Sequence, residues 1–369
     1  MKALALYPGA KEVTLVDRPE PSRTSPDEVR LQVLQVGICG TDREEVSGGR
    51  ARPPEGRQNL VIGHEMFGRV VETGEAVTRV KPGDYAVFTV RRGCGRCMPC
   101  MMNRSDMCET GGYSERGIMG LDGYQTEFVV DKEVHLIPVP PDLKETGVLT
   151  EPLSIVEKAI QGAVQVQTAR LPHSQASPDW LYGRRCLVAG LGPIGLLAAL
   201  ALRLRGAEVF GMDVVDRETA RPRWLAEIGG TYVDGRLLRP DTVADALGPM
   251  ELVFEAAGIA SLAFNLLDAL AINGVYVLTG VPEGSRSVQI PGEELMRRLV
   301  MNNQIMMGSV NAAPGHFRMA VQDLSVASLR WGKAVERLIT HRLDPAGSAE
   351  IFHTHKDDEI KVVIRWDGA

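Results

Sequence analysis

The sequence predicts an α/β protein of two domains, a β-rich domain followed by a doubly wound parallel sheet. The chain has 369 residues, of which 44% are hydrophobic and 24% are charged, which is enough for two cores. Strand-like runs separated by turns fill its first part, whereas short apolar strands alternate with helical segments from residue 184 onward. Alternation of this second kind is typical of a parallel sheet covered by helices.

Composition and charge limit the classes of partner. The 47 acidic residues outnumber the 41 Lys and Arg residues, so no overall basic field favours nucleic acid. No apolar run approaches the roughly 18 to 20 residues that span a bilayer. No apolar leader follows Met1 and Lys2. We therefore expect a cytoplasmic protein that binds neither nucleic acid nor membrane.

The first part of the chain, to about residue 151, is predicted to be β-rich and rich in loops. Its predicted strands cover residues 29–36, 60–71, 85–90 and 125–130. A helix is predicted over residues 151–164 from the spacing of its apolar positions. The polar stretch at 171–180 is interpreted as an inserted loop.

The second part is predicted to be the parallel sheet. Its predicted strands cover residues 186–189, 208–212, 252–255 and 275–279, with a helix over 194–205. After about residue 311 the chain returns to helix and short strand, and it ends in a predicted strand over 360–366.

A glycine-rich sequence directly follows the first of these strands and opens the predicted helix. It fits G-x-G-x-x-G with Gly190, Leu191, Gly192, Pro193, Ile194 and Gly195. In this context the glycines permit a tight turn, and the helix N-terminus binds a pyrophosphate. Asp213 ends the next strand, where a carboxylate binds the ribose hydroxyls of NAD and repels the extra phosphate of NADP. The alternative is a glycine-rich turn in an α/β protein that binds no nucleotide.

Four of the six cysteines lie close together in the first domain, at positions 94, 97, 100 and 108. Cys94, Cys97, Cys100 and Cys108 supply four thiolates, which close a tetrahedral zinc shell and predict a structural zinc. Disulfides are one alternative, disfavoured by a reducing compartment. The other is a zinc ribbon that contacts nucleic acid through nearby arginines, although no aromatic residues are interleaved for stacking.

Cys39, His64 and Glu65 lie upstream, at the ends of strand-like runs. A catalytic zinc keeps three protein ligands and one exchangeable position, where a substrate hydroxyl binds and loses its proton near neutral pH. Each residue also has an ordinary structural interpretation. Cys39 fits a small buried hydrophobic residue, His64 a hydrogen-bonded core histidine and Glu65 a solvated turn charge.

The order of these motifs is specific: G-x-C-G-T-D at 37–42, G-H-E at 63–65, the cysteine cluster, then the glycine motif. Over nearly its whole length the chain resembles the zinc-dependent medium-chain alcohol dehydrogenase family. The resemblance implies a GroES-like catalytic domain over 1–153, with a zinc lobe at about 93–109, and a Rossmann-type domain over 154–307. Residues 308–369 then return to the catalytic domain. It further implies Cys39 and His64 as zinc ligands, Glu65 as a ligand or near ligand that exchanges during turnover, and Thr41 as the hydroxyl nearest the substrate oxygen.

Within that family the chain is similar to the glucose 1-dehydrogenase branch. The similar segments are residues 40–44, 91–95, 114–118, 151–153, 308–311 and 316–317. This resemblance implies that Glu151 is a third or fourth zinc ligand and that Glu115 and Asn311 bind sugar hydroxyls. A surface salt bridge for Glu115 and a turn for Asn311 are the alternatives. Val90 stands where some relatives carry a polar sugar-contacting residue, which leaves the range of aldoses open.

The resemblance also implies the remaining cofactor contacts. These are Thr279, Gly280, Val281, Ser309, Val310, Asn311 and Lys361. Asp213 favours NAD, while the neighbouring Arg217 leaves use of NADP open. Two zinc ions per chain are expected, one catalytic and one structural.

These features predict an enzyme that transfers a hydride from C1 of an aldose to NAD(P). D-glucose is the expected substrate, and its product is gluconolactone. A polyol or simple alcohol dehydrogenase is the alternative within the family. A non-catalytic protein that binds NAD, or interacts through the zinc lobe, is the alternative from another class. A homo-oligomer is expected, a tetramer or a dimer, in which the strand near 273–281 extends a sheet across subunits.

Overall fold

The structure is a computed structural model that describes residues 1–171, 180–282, 287–356 and 358–368. It forms two compact units. The first comprises Met1–Ser154, Asn311–Ser328 and Val335–Ala369, and the second comprises Ile155–Val310 and Leu329–Ala334. The loop predicted at 171–180 lies almost wholly outside the described residues.

The first unit is mostly antiparallel β structure. Its strands before the second unit are β1 (Lys2–Tyr7), β2 (Glu12–Asp17), β3 (Glu28–Gly37), β4 (Leu60–Val61), β5 (Glu65–Thr73), β6 (Tyr85–Phe88), β7 (Arg91–Arg92), β8 (Ser114–Arg116), β9 (Gly120–Leu121), β10 (Phe128–Lys132) and β11 (Leu136–Val139). Helices α1 (Gly40–Val46) and α2 (Met98–Met101) lie within it, and α3 (Thr150–Arg170) leads out of it. The long strand β3 alternates buried and half-buried positions before it becomes fully buried near Gly37, which places the end of β3 in the core.

The second unit contains a six-stranded parallel sheet in the order β14-β13-β12-β15-β16-β17. Its strands are β12 (Arg185–Ala189), β13 (Glu208–Asp213), β14 (Thr231–Asp234), β15 (Met250–Glu255), β16 (Leu270–Leu278) and β17 (Ile305–Gly308). Its helices are α4 (Pro193–Leu204), α5 (Ala220–Glu227), α6 (Val243–Leu247), α7 (Ala260–Asn265) and α8 (Gly292–Met301). The strand order reverses beside β12, and this confirms the predicted doubly wound fold.

One prediction about this sheet is wrong. The strand near 273–281 was expected to extend the sheet across subunits, but β16 already pairs with β15 on one side and β17 on the other. The edges of the sheet are β14 and β17. Strand β17 has no fully buried residue, and its apolar run of three residues is too short to predict a strand.

The tail returns to the first unit. Helices α9 (Pro314–Trp331) and α10 (Lys333–Glu336) precede β18 (Ile339–Leu343) and β19 (Lys361–Arg365). The main sheet of the unit runs β11-β6-β5-β3-β19-β18, with β10 also paired to β3. Because β19 is antiparallel to β3, the tail brings Lys361 next to the residues that follow Gly37. Across the described residues, no helix combines the length and apolarity needed to cross a membrane.

Candidate active site

The side chains of Cys39, His64 and Glu65 lie together, with their ligand atoms within 4.8 Å of one another. Cys39 caps the N-terminus of α1, just beyond the end of β3, and Glu65 begins β5. Because β3 and β5 pair with Gly37 opposite Glu65, the antiparallel register brings the three donors together. His64 and Glu65 are buried and Cys39 is half-buried.

Two glycines allow this approach. Gly63 adopts a φ of +86°, and a Cβ there would lie 2.5 Å from the side chain of Gln125. A Cβ on Gly37 would lie 2.0 Å from Oε2 of Glu65. The turn at Gly63 divides the strand predicted over 60–71 into β4 and β5, and it leaves His64 free of both strands.

Asp42, the last residue of the G-x-C-G-T-D motif, also belongs to the site, although no role was predicted for it. It is buried, and its Oδ2 accepts the backbone N–H of Cys39 at 2.8 Å. Its Oδ1 lies 3.4 Å from Nδ1 of His64. This arrangement leaves Nε2 of His64 as the ring nitrogen for a metal. The signal available in the sequence was the capping-box spacing, an acidic residue three positions after the cap at Cys39.

Asp42 also affects the pKa of His64. Burial disfavours the charged imidazole, but the Asp42 carboxylate, together with Cys39, outweighs burial and raises the pKa of His64. A histidine whose ring is oriented by a carboxylate is the usual arrangement around a protein-bound zinc.

Lys361 holds Glu65. Its Nζ donates to both carboxylate oxygens of Glu65, at 2.8 and 2.7 Å, and to the carbonyl of Ile38 at 3.0 Å. Both side chains of this ion pair are almost fully buried. The three donors of the ammonium group are thus all used in this state. The role of Lys361 as a cofactor contact stays a prediction.

Glu151 and Thr41 complete the predicted catalytic set. Glu151 lies in the first turn of α3 and is buried, but its carboxylate is not within 4.8 Å of all three donors. Burial raises its pKa to about 8, with Glu65 adding to the rise and His64 opposing it. Thr41 is half-buried in the first turn of α1. The structure therefore gathers the first three donors tightly and keeps Glu151 within electrostatic reach.

The two predicted sugar-binding residues contact each other. Nδ2 of Asn311 donates to Oε1 of Glu115 at 2.7 Å, and Asn311 has a φ of +61°. Arg91 donates twice to the same oxygen, at 3.0 Å each. Glu115 is buried, so its interpretation as a surface salt bridge is wrong, although it does pair with an arginine. Its Oε2 accepts no hydrogen bond within the part of the chain that the structure describes.

The four cysteines of the lobe also converge, and they are free thiols. Sγ of Cys97 lies 3.5 Å from Sγ of Cys94 and 4.0 Å from Sγ of Cys108. A tetrahedral zinc with bonds of about 2.3 Å separates its sulfur ligands by about 3.8 Å, whereas a disulfide requires about 2.05 Å. Hydrogen bonds from Thr110 and from the backbone at Arg96 and Cys97 lower the pKa of Cys94 to about 5. The donor set fits a structural zinc.

The glycine motif of the second unit forms a turn that accommodates a phosphate group. Gly190 has a φ of +87°, and a Cβ there would lie 2.8 Å from the backbone N of Ala257. A Cβ on Gly195 would lie 1.8 Å from the carbonyl oxygen of Gly190, so α4 packs on the turn only with glycine there. By contrast, a Cβ on Gly192, the N-cap of α4, would meet open space. This opening above a helix N-terminus fits a pyrophosphate.

The other residues of the motif surround this turn. Pro193 begins α4, Ile194 follows it half-buried, and Leu191 is buried. Oδ2 of Asp213 accepts the backbone N–H of Leu191 at 2.8 Å, which ties the end of β13 to the turn. Arg221 approaches the same oxygen at 3.7 Å.

Glu255 is a second residue whose role the sequence analysis missed. Its carboxylate is buried and accepts the N–H groups of Ala257 and Gly258 at 2.9 and 2.7 Å. Its backbone carbonyl accepts from the N–H groups of Thr279 and Gly280. It thereby ties the loop after β15 to the predicted cofactor contacts that follow β16. A lone acidic residue at the end of an apolar strand gave no signal for this role.

The remaining predicted cofactor residues lie in or next to the second unit. Ser309 donates its backbone N–H to Leu278 at 2.9 Å, just after β17. Val281 and Val310 are exposed, and the carbonyl of Val310 accepts from Lys158. Asn311 belongs instead to the first unit, beside Glu115.

Comparisons with known proteins agree with this site. Residues 25–141 match the alcohol dehydrogenase GroES-like domain, and residues 144–366 match the family described as glucose dehydrogenase C-terminus. The chain is 37% identical to a glucose 1-dehydrogenase of Methanocella arvoryzae over 99% of both chains. It is 38% identical to glucose 1-dehydrogenase 2 of Vulcanisaeta moutnovskia, also over 99% of both.

A solved structure supports the same assignment. The glucose dehydrogenase of Haloferax mediterranei in complex with NADP, Zn and gluconolactone superposes with a TM-score of 0.88, at 33% identity and 99% coverage of both chains. With the metal-donor cluster, the cysteine lobe and the glycine turn all in place, the chain belongs to the zinc-dependent medium-chain alcohol dehydrogenase family, in its glucose 1-dehydrogenase branch.

Proposed function

We propose that this protein is a zinc- and NAD(P)-dependent glucose 1-dehydrogenase that oxidises C1 of D-glucose, or of a closely related aldose, to the lactone. The observation that carries the proposal is the buried Glu115, whose Oε1 is committed to Arg91 and Asn311 while its Oε2 accepts no hydrogen bond from any described residue. A buried carboxylate oxygen of this kind selects a ligand that donates a hydroxyl proton to it.

The metal donors supply the chemistry. A zinc ion held by Cys39, His64 and the carboxylates of Glu65 and Glu151 would act as a Lewis acid that lowers the pKa of the C1 hydroxyl. Among these donors, Glu65 forms a buried ion pair with Lys361, whereas the charge of Lys361 acts on Glu151 only at longer range. We therefore propose that Glu151 enters the metal shell and that Lys361 controls whether Glu65 does.

The protein's own residues position the reacting groups. We propose that the hydroxyl of Thr41, in the first turn of α1, relays the proton of the C1 hydroxyl: it accepts that proton while passing its own to solvent. Asp42 fixes the ring of His64 and the backbone of Cys39. Glu115 and Asn311 orient the sugar so that C1 presents its hydride to the nicotinamide.

The cofactor is proposed to be NAD in preference to NADP. The carboxylate of Asp213 lies at the end of β13, where it meets the ribose hydroxyls in this fold. Arg221, at 3.7 Å from that carboxylate, and the nearby Arg217 reduce its repulsion of a 2′-phosphate. The Haloferax relative binds NADP, so a measurable rate with NADP is expected as well.

A homo-oligomer of identical subunits is also proposed. Helix α8 packs Leu295 and Leu299 against the core but exposes Met296, Val300 and Met301. An exposed apolar helix that directly precedes the edge strand β17 in the chain suits a second copy of the chain, in a dimer or a tetramer. Light scattering on the purified protein tests this. The free thiols of the lobe suit a reducing, cytoplasmic location.

The test of the main proposal is a set of initial rates on protein of measured zinc content. The substrates are D-glucose, D-galactose, D-xylose, sorbitol and ethanol, each with NAD and with NADP. We expect aldoses to have the highest kcat/KM and NAD to exceed NADP. Oxidation of only sorbitol or ethanol would assign the protein to a polyol or alcohol dehydrogenase, and one zinc per chain without turnover would indicate a non-catalytic protein.

A further inference from the structure

Beside the predicted sugar-binding pair lies a second buried carboxylate, Glu45, with an arginine between the two. Glu45 lies near the end of α1, and its side chain is fully buried. The groups that approach its carboxylate include the backbone N–H of Ala51 and the side chain of Arg50, both in the loop that follows α1. Arg50 places Nε 3.5 Å from Oε1 of Glu45 and Nη1 3.9 Å from Oε2 of Glu115. A guanidinium group thus spans two buried carboxylates without a hydrogen bond to either.

The position of Arg50 is set by its loop. The loop begins where α1 ends, at a Gly48 with a φ of +105°. It is then fixed at Arg52, whose N–H donates to the carbonyl of Ile118 at 3.1 Å and whose carbonyl accepts from Gly120 at 2.8 Å. These bonds attach the loop to the segment that carries Glu115. The side chain of Arg50 is still 53% exposed, so its tip can shift while its backbone stays in place.

We infer that Arg50 is a specificity-determining residue that binds, together with Glu115, a ring hydroxyl of the sugar remote from C1. A hydroxyl oxygen that accepts from one group and donates to another at ordinary lengths separates the two by about 4.6 Å. The 3.9 Å between Nη1 and Oε2 opens to this value with a small movement of the exposed Arg50. The bridging hydroxyl then satisfies the free oxygen of Glu115 and gives Arg50 the hydrogen bond that it lacks.

Glu45 makes the site selective for an uncharged sugar. Arg91 compensates the charge of Glu115, and Glu45 compensates that of Arg50, so the pocket presents no net positive charge to an anion. Burial raises the pKa of Glu45 to about 7; the charges of Glu44 and Asp42 add to the rise, while Arg50 and the backbone N–H of Ala51 oppose it. Above that pH the charges of Glu45 and Arg50 cancel. A sugar bearing a carboxylate or phosphate would face Glu45 and Glu115 across the same guanidinium group.

This inference rests on the proposed function, and the first experiment separates the two. Rates are measured for D-glucose and for its 2-deoxy, 3-deoxy, 4-deoxy and 6-deoxy analogues with the wild type and with Arg50→Met. We expect Arg50→Met to lower kcat/KM for D-glucose by roughly 10-fold or more. For the one analogue that lacks the bridging hydroxyl we expect little change. The KM for NAD and the zinc content should stay at wild-type values, which a general structural defect would not allow.

Arg52→Met is the matched control, because Arg52 lies on the same loop and is exposed. It should leave the analogue series unchanged. If the wild type oxidises no aldose, the proposed function fails. If the wild type oxidises aldoses and Arg50→Met lowers all analogues equally, or none, only the role of Arg50 is overturned.

The role of Glu45 is tested separately at pH 8, where Glu45 is ionised in the wild type. Glu45→Gln removes the charge that compensates Arg50. We expect the ratio of kcat/KM for D-glucuronate to that for D-glucose to rise severalfold in Glu45→Gln and to fall in Arg50→Met. An unchanged ratio in both variants would contradict the assigned role of Glu45.

Discussion

The cysteine lobe draws all its metal donors from residues 94–108, whereas the Cys39, His64 and Glu65 cluster joins two separate strand ends. Local turns build the lobe, with Cys97 capping α2 and its carbonyl accepting from Met101. The cluster instead depends on the register of β3 against β5 and on β19, which delivers Lys361. The difference explains their chemistry. A closed shell of four thiolates suits a zinc that stabilises the fold, and a mixed shell of three protein donors leaves a position for substrate.

The most severe test of this comparison is Cys39→Ser. Without the thiolate the mixed shell loses its strongest donor, and we expect kcat/KM to fall by about 10³-fold. The zinc content should fall from two to one per chain, while the melting temperature changes little because the surrounding sheet stays intact. Cys186→Ala, which removes a buried thiol of β12, is the control for loss of a cysteine alone. Turnover near the wild-type level would contradict the assignment of Cys39.

Cys97→Ser tests the other side of the comparison. Loss of a ligand from the closed shell should cost about 4 kcal/mol of stability and lower the melting temperature by about 5 °C. The kcat per folded molecule should fall much less than in Cys39→Ser. Calorimetry with parallel zinc analysis provides the measurement, with the exposed Met98→Leu as control. Equal effects of Cys97→Ser and Cys39→Ser on kcat would remove the distinction between the two sites.

How far the sequence predicts each site follows from the same difference. The spacing of the four cysteines is local, so it predicted the lobe fully. The cluster needed pairing between distant strands, and the sequence identified its donors through their motifs but not their partners. Asp42 was missed because its contact with His64 depends on the turn at Gly63, where the predicted strand is interrupted.

The parallel sheet was predicted by four apolar strands, and these are β12, β13, β15 and β16. The edges were not. The apolar part of strand β17 is only three residues long, Ile305 to Met307, which is too short to indicate a strand by itself, so its place beside β16 came only from the structure. A pattern that depends on burial cannot reveal a strand that a single sheet leaves partly uncovered.

Asp42→Asn sharpens the account of the mixed shell with a smaller effect. The amide keeps the shape of the carboxylate but loses the charge that faces Nδ1 of His64. We expect a 10- to 100-fold loss in kcat/KM or in zinc affinity, about the usual effect of an outer-shell partner. Competition with a chromophoric chelator measures the affinity. Asp17→Asn, in an exposed pair with Lys2, is the control, and an equal loss there would refute a specific role for Asp42.

The smallest expected effect concerns the strand that leads into the lobe. Arg92 in β7 donates to Asp131, which also accepts from Arg116, and these charges hold the pKa of Asp131 well below its usual range. Burial and the charge of Arg92 lower the pKa of the adjacent His135 from 6.5 to about 4, against the opposing effect of Asp131.

Between these two pH values the unfolded chain binds a proton at His135 and the folded protein does not. Stability is therefore highest above pH 6.5 and decreases as the pH falls toward 4, by about 1 kcal/mol for this partly exposed group. His135→Gln should flatten this part of the curve, measured by urea unfolding with excess zinc. The exposed His353→Gln should retain the wild-type slope. If His135→Gln retains the wild-type slope too, the loss of stability at low pH arises from the metal-binding clusters and not from His135.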